Sequence, residues 1–272
     1  MNKKEVRRVA KDYCHELRLY YQRLLPGYGI ASIHQFRVNY KKLRAFLRMM
    51  RGPETITGQL PVTKKLKSTY RLCGGIRDLQ LHRQQIQHAY RSRQKKPQTY
   101  LLQLQQKTAG YKKELRTIFS ETTMDAGIEK VIGSLPGSFS KKSLRRYIQQ
   151  QWDAVQQLID SRHFTDANMH RIRKLLKDLY YNMSALDEGS IVVKNGKRKT
   201  IFSLKSFDAL LNQLGKFQDL TTEIRLLGVF QLKGLPAAEQ KELEWLRATC
   251  LVQKNQLKRN LVEQLKTDYA SK

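Results

Sequence analysis

The sequence predicts an all-α protein of two helical bundles, and three observations carry that prediction. Chain breakers are scarce: 272 residues hold 15 Gly and 6 Pro, below the combined share of roughly 12% usual in globular proteins. Apolar residues recur at i, i+3/i+4 spacing through most of the chain. One pattern of His, Arg and Lys occurs twice, about half a chain length apart, which points to an internal duplication of a helical unit.

Taken in order, Val6, Val9, Tyr13, Leu17 and Tyr20 mark an amphipathic helix over 2–25, stopped by Pro26-Gly27-Tyr28-Gly29. Ser32 is the expected N-cap of a second helix that runs to Met50 and ends at Arg51-Gly52-Pro53. After a loop to Pro61 a third helical stretch covers 62–94, with Gly74-Gly75 marking a kink or a close helix contact. Residues 98–119 form a fourth helix. A turn-rich stretch then leads to Leu135-Pro136-Gly137, the expected boundary between an N-terminal half (1–135) and a C-terminal half (138–272) of a single domain. Helices resume at 139–161, 166–187, 203–230 and 236–270. The exception is 191–200, where a β-branched run and the Asn195-Gly196 pair predict a small β-hairpin.

Charge narrows the function. With 52 Lys and Arg against 23 Asp and Glu, the net charge is +29, which implies a polyanionic partner: nucleic acid, an acidic membrane surface or free polyphosphate. A hydrophobic share of 40% excludes a disordered basic tail. Cys14, Cys73 and Cys250 are odd in number, widely spaced and without CxxC, so a disulfide scaffold or zinc ribbon is excluded and a reducing cytosol is expected. The N-terminus is charged and lacks a signal core, and no apolar run approaches the roughly 20 residues that span a bilayer. A cytoplasmic protein without a membrane span is expected.

The repeat places the charge. Ile33-His34-Gln35-Phe36-Arg37 with Lys41-Lys42-Leu43-Arg44 matches Met169-His170-Arg171-Ile172-Arg173 with Lys177-Asp178-Leu179-Tyr180, the two histidines lying 136 residues apart. Downstream, Gly75-Ile76-Arg77-Asp78-Leu79 pairs with Gly215-Lys216-Phe217-Gln218-Asp219-Leu220, the aspartates 141 apart. At 100° per residue, His34 sits about 60° from Arg37, Lys41 about 40°, Arg44 about −20° and Arg48 about 20°, all within about 21 Å of rise. Ile33, Phe36, Tyr40, Leu43 and Leu47 form the neighbouring apolar stripe, so the helix packs one side into a bundle and turns its cations toward a groove. No acidic residue interrupts those cations. Like charges at these spacings repel by a few tenths of a kcal/mol per pair unless an anion bridges them. His170, Arg173 and Lys177 hold the same relative angles.

These residues resemble the CHAD family, the conserved histidine α-helical domain. Residues Ile33 through Arg48 fit its apolar-His-x-apolar-Arg helix with trailing basic residues, and His170 through Lys177 fit the first two turns of the second copy. Leu72-Cys73-Gly74-Gly75-Ile76-Arg77-Asp78-Leu79 is similar to the family's Leu-Gly-x-x-Arg-Asp-Leu element, and Leu214 through Leu220 resembles its second copy. The resemblance implies two helical bundles related by a pseudo-two-fold, a basic central cavity between them and binding of inorganic polyphosphate without chemistry. By matching position it implies a site of His34, Arg37, Lys41, Lys42, Arg44 and Arg48 from the first half and His170, Arg173 and Lys177 from the second. The chain departs from the family where Asp178 and Tyr180 replace continuing cations and Ser184 stands in the place of Arg48. The second stripe is therefore shorter. Either the binding surface is lopsided or other cations compensate, the candidates being Lys141, Lys142, Arg145 and Arg146 on one helix and Lys64, Lys67 and Arg71 on another.

Polyphosphate suits such a surface, since Arg offers bidentate contacts to phosphate oxygens and Lys a mobile point charge. His34 and His170 read equally as phosphate donors and as buried groups joining helices. Asp78 and Asp219 are expected to orient an Arg across the bundle. The basic residues of the hairpin, Lys194, Lys197, Arg198 and Lys199, read as a solvated loop. Nucleic acid is the alternative polyanion, although RNP-like and zinc-finger motifs are missing. Tyr20, Tyr21, Tyr40, Tyr180 and Tyr181 sit at core spacing and not as a stacking platform. A phosphatase acting on polyphosphate is the further alternative. Walker A and HExxH motifs are missing, Gly27 through Ser32 is an incomplete GxGxxG without a strand before it, and His82 and His88 lack ligands at metal spacing. No cofactor, no metal and no catalysis are expected. The family often accompanies a triphosphatase domain of the CYTH family; none fits here, so a catalytic partner would be a separate chain. Association with polyphosphate granules is expected of such a protein.

Overall fold

The computed structural model describes residues 1–272 except 25–26, 52–61, 92–95, 119–120, 187–188, 196–197, 229–231 and 270–272. The expected stops at Pro26 and from Gly52 to Pro61, and Gly196-Lys197 of the hairpin turn, lie outside the described residues. The helices are α1 (Lys3–Gln22), α2 (Ile30–Arg51), α3 (Lys64–Ala89), α4 (Gln98–Ile118), α5 (Glu121–Gly133), α6 (Lys141–Asp160), α7 (Asp166–Ala185), α8 (Leu204–Leu226) and α9 (Ala237–Tyr269). Strands β1 (Ser190–Asn195) and β2 (Arg198–Ser203) lie between α7 and α8. The all-helical fold with one small hairpin is as the sequence predicts.

Local chemistry sets the helix starts. Asn2 and Glu5 form a reciprocal capping box on α1, and the side chains of Thr63, Ser140, Thr165 and Ser203 accept the backbone N–H three residues on at the starts of α3, α6, α7 and α8. Each such cap is worth about 1 kcal/mol. Two expectations are corrected. Ser32 lies inside α2, which begins at Ile30. The stretch read as turn-rich holds a helix, α5, whose Met124 and Val131 are buried against α1 and α3. Gly127 and the β-branched Thr122-Thr123 obscure it in the sequence. Gly127 is small because α3 is close: a Cβ there would meet Leu66 Cδ2 at 3.4 Å.

Three apolar clusters hold the helices together. One joins α1 and the end of α2 to α6–α9, around Phe46, Trp152, Leu179, Phe207 and Leu261. A second joins α1, α2, α3 and α5 around Leu17, Phe36, Tyr40 and Leu72. A third joins α3 and α4 to α8 and α9 around Leu79, Tyr100, Leu227 and Leu243. Helix α1 enters two of these clusters, with Val6, Val9 and Ala10 in the first and Cys14, Leu17 and Tyr21 in the second. Helix α2 packs on α1, α3 and α7, and α7 packs on α6 and α8.

The hairpin is antiparallel, with Val192 opposite Ile201. Its inner face packs Ile191, Val193 and Phe202 onto the first cluster, with the Phe202 ring 4.6 Å from that of Trp152. The side-chain amide of Gln149 on α6 donates to Lys194 O and accepts from Lys194 N, both at 2.8 Å. That pair satisfies the backbone of Lys194 on β1, a point at which a strand edge is otherwise open to another strand.

Candidate functional site

The apolar stripe of α2 buries Ile33, Phe36, Tyr40, Leu43 and Leu47, so its polar face turns toward α7 and α3. Buried Met169, Ile172, Leu176 and Leu179 set α7 in the same way. The two motif helices pack directly on each other, and this brings together side chains that stand far apart in the chain.

Arg37 is the best-fixed cation of the cluster. Its Nη1 donates to Tyr70 O at 2.9 Å, and its guanidinium lies 4.5 Å from the centre of the Tyr70 ring. It rests on α3 at Gly74, where an added Cβ would come within 2.5 Å of Nη1. The Tyr111 ring covers the next residue, and a Cβ on Gly75 would meet it at 2.8 Å. The Gly74-Gly75 pair is thus a site of close approach within an unbroken α3. Arg173 bears the same relation to Gly215 on α8 at a looser distance, 3.6 Å. Gly74→Ala is therefore expected to displace Arg37 and cost about 1–3 kcal/mol by overpacking, while Gly215→Ala leaves the melting temperature within a degree or two; a pair of thermal melts checks both.

Around Arg37 the charges are unbalanced. Burial first, then the fields of Arg37, Arg173 and Lys177, lower Lys41 to a pKa of about 8, with Asp78 acting against them. Partial desolvation, then Arg77, Lys41, Arg37 and Lys177, hold His34 below the ordinary imidazole range. Burial and then Arg173 lower Lys177, with Asp208 acting against them, and its Nζ lies 5.2 Å from the Tyr181 ring centre. Burial raises Asp78 and Asp219 above the ordinary carboxylate range, against the pull of Arg37 on the first and Arg173 on the second. Asp78 also faces Arg225 Nη2 of α8 at 3.7 Å. Both aspartates act on Arg77. Two guanidinium atoms inside the cluster, Arg77 Nη1 and Arg173 Nε, are buried without a hydrogen-bond partner. The arrangement holds five cationic side chains, Arg37, Lys41, Arg77, Arg173 and Lys177, against three carboxylates, Asp78, Asp219 and Asp208.

The remaining predicted residues divide. After burial, Arg48 and Arg44 lower Lys174 of α7, with Asp178 acting against them. Arg44 lies 5.7 Å from the Tyr40 ring centre. Arg48 is committed to Asp178: Nε and Nη2 donate to the two carboxylate oxygens at 2.7 and 2.6 Å. His34 and His170 are both exposed, and His170 Nδ1 donates to Gln218 Oε1 at 2.8 Å. Lys42 is half-buried on α2; Lys67 and Arg71 are exposed on α3, Arg71 lying 3.6 Å from Glu114; Lys141 and Arg145 are exposed on α6. None of these five is among the charges acting on Lys41, His34 or Arg77. Arg77 and Lys174, not singled out from the sequence, do join the clusters. Arg77 carried a signal, as part of the Ile76-Arg77-Asp78 element; Lys174 carried none beyond its place beside Arg173.

The histidine that joins helices is His82, fully buried between α3, α4 and α8. Tyr100 Oη donates to Leu226 O at 2.9 Å, so His82 Nε2–H donates to Tyr100 at 2.8 Å. His82 Nδ1 is hydrogen-bonded to Glu223 Oε1 at 2.6 Å. A surface recess of about 620 Å³ along α9, lined by Asn255, Lys258, Arg259, Val262, Glu263 and Lys266, contains none of the predicted residues. Among the described residues no three His, Cys, Asp or Glu side chains are grouped to hold a metal, and no helix is long and apolar enough to cross a membrane.

A search of curated proteins finds no match. The chain is similar in fold to the crystal structure of the CHAD domain from the plant Ricinus communis, with a TM-score of 0.66 over 96% of this chain and 91% of that one, at 16% identity. The CHAD domain family model matches residues 9–228, a span that contains α2, α3, α7, α8 and every residue of the basic cluster. The chain belongs to the CHAD domain family.

Proposed function

We propose that this CHAD domain binds inorganic polyphosphate, without catalysis, through the cluster of His34, Arg37, Lys41, Arg77, Arg173 and Lys177 at the α2–α7 crossing. One observation carries the reading: five cations converge where Asp78, Asp219 and Asp208 are the opposing carboxylates, and Arg77 Nη1 and Arg173 Nε stay buried and unpartnered. Buried donors are normally satisfied, and a chain of phosphates supplies closely spaced acceptors and negative charge while demanding no base readout. Arg44, Arg48 and Lys174 lie at one border of the cluster. His170 lies on α7 one turn before Arg173, and the exposed Lys42, Lys67, Arg71, Lys141 and Arg145 add to the surrounding positive field. In this reading the protein acts in the cytoplasm, beside or on polyphosphate granules.

The test is a titration with long-chain polyphosphate at near-physiological salt, with duplex DNA and RNA of equal charge as competitors. Saturable binding that nucleic acid does not displace supports the reading. Equal displacement by nucleic acid transfers the function to general polyanion binding. A pH series adds a second test. A bound polyanion returns Lys41 and His34 toward their ordinary pKa values, so binding takes up protons and affinity falls as pH rises from 6 to 9. Lys41 in the free fold loses its proton near pH 8, whereas the unfolded chain keeps it to about 10.5. Between these values the unfolded state binds more protons, and the ligand-free fold gains stability with pH while affinity drops. Lys41→Arg is expected to flatten the upper part of the affinity profile. An unchanged slope would remove Lys41 from the site.

A further inference from the structure

The ion pair between Arg48 and Asp178 lies at the end of the basic stripe, where α2 and α7 are locked by Asn182, which donates to Ala45 O at 3.2 Å and to Tyr147 Oη at 3.1 Å. Arg48 sits on the same face of α2 as Arg37, Lys41 and Arg44, yet both of its bonded donors are used internally. The side chain of Asp178 is only 10% exposed, while that of Arg48 is 30% exposed. A ligand phosphate reaching Arg48 would have to displace a carboxylate that cannot follow into water. Separating the two leaves a buried, unpaired charge. The groups that face Asp178 besides Arg48 are Lys174, Tyr147 and Tyr181. Lys174 already feels Arg48 and Arg44 as well, and it is not hydrogen-bonded to Asp178 in place of Arg48.

Resting on the polyphosphate reading, we propose that Asp178 is a built-in competitor for the ligand. It occupies Arg48 as a phosphate would, ends the basic track at Arg44 and Lys174, and so holds affinity and the number of engaged phosphates below what the α2 stripe would otherwise provide. Asp178 does not touch the ligand; it acts through Arg48.

The experiment compares the full chain, Asp178→Asn, Arg48→Met and the double variant, titrated with polyphosphate over a salt series. Asp178→Asn is expected to tighten binding roughly tenfold, the worth of one charge-assisted contact. It should also steepen the log affinity against log salt slope by about 0.7–0.9, one further phosphate neutralised. Arg48→Met in the native background should change affinity less than twofold while lowering the melting temperature, because it strands Asp178. In the Asp178→Asn background it should erase the gain. If Asp178→Asn fails to fold, Arg48→Met alone decides: a tenfold loss of affinity means that Arg48 contacts the ligand despite its partner, and the proposal falls. Native-level affinity and slope in a folded Asp178→Asn variant overturn it equally. Absence of saturable polyphosphate binding by the native chain and all three variants would overturn the underlying function instead, and the competitor role with it.

Discussion

Reversing the charge at Arg37 and Arg173 together is expected to weaken polyphosphate binding by at least a hundredfold while the helical content stays native. The two guanidinium groups come from the two motif helices and bracket Lys41, whose environment they dominate after burial itself. Hydrogen bonds to a charged partner are worth about 1.5–3 kcal/mol each, so losing two costs roughly 3–6 kcal/mol, about two to four powers of ten in affinity. Two glutamates would add repulsion on top of that loss. The fold should survive because the apolar clusters do not include either side chain, Arg173 Nε has no hydrogen bond to lose, and Arg37 gives up one hydrogen bond, to Tyr70 O, with its place over the Tyr70 ring. Binding by fluorescence or calorimetry, beside a circular dichroism spectrum, checks it. A double variant with native helicity and unchanged affinity would place the ligand elsewhere on the surface.

The largest effect on stability is expected at His82. His82→Leu leaves the Glu223 carboxyl buried without a partner and strips Tyr100 of a donor. Breaking a buried pair by removing one member costs about 3–5 kcal/mol, which for a chain of this size is a fall of roughly 6–12 °C in melting temperature. His82→Leu combined with Glu223→Leu removes the stranded charge and is expected to recover most of that loss, since a well-packed apolar replacement of a buried pair is often neutral. Thermal melts of the single and double variants decide. Equal falls in both would mean that the pair matters for its shape and not its charge.

Much of the fold was legible because long helices announce themselves by period and by their stops. The hairpin stood out for the complementary reason, a β-branched run and an Asn-Gly pair inside helical surroundings. Helix α5 was not legible: at 13 residues with Gly127 inside it, its intrinsic preference is weak, and it is held by burial of Met124 and Val131 on neighbours more than fifty residues away. Within the cluster, the helical angles of His34, Arg37 and Lys41 followed from spacing alone. The partnership of Arg48 with Asp178 did not, because it depends on where two helices 130 residues apart cross. The sequence marked Asp178 as a shortened second stripe; the structure adds that it also occupies a cation of the first.

The double allegiance of α1 bears on how the chain is made. At its start, Met1 and Phe139 exchange backbone hydrogen bonds at 3.0 and 2.8 Å, and Val6, Val9 and Ala10 lie in a cluster otherwise built mainly from α6–α9. On a ribosome adding roughly 5–20 residues per second, the partners of this first turn of sequence emerge only after an interval of order ten seconds. Until then Val6, Val9, Phe46, Met49 and Met50 lack the α6–α9 side of their cluster. Vectorial synthesis thus delays closure of this core until α9, which supplies Leu261, Leu265 and Tyr269, has emerged. A cell overproducing this protein should therefore accumulate chaperone-bound nascent chains in proportion to how slowly the codons beyond residue 139 are read.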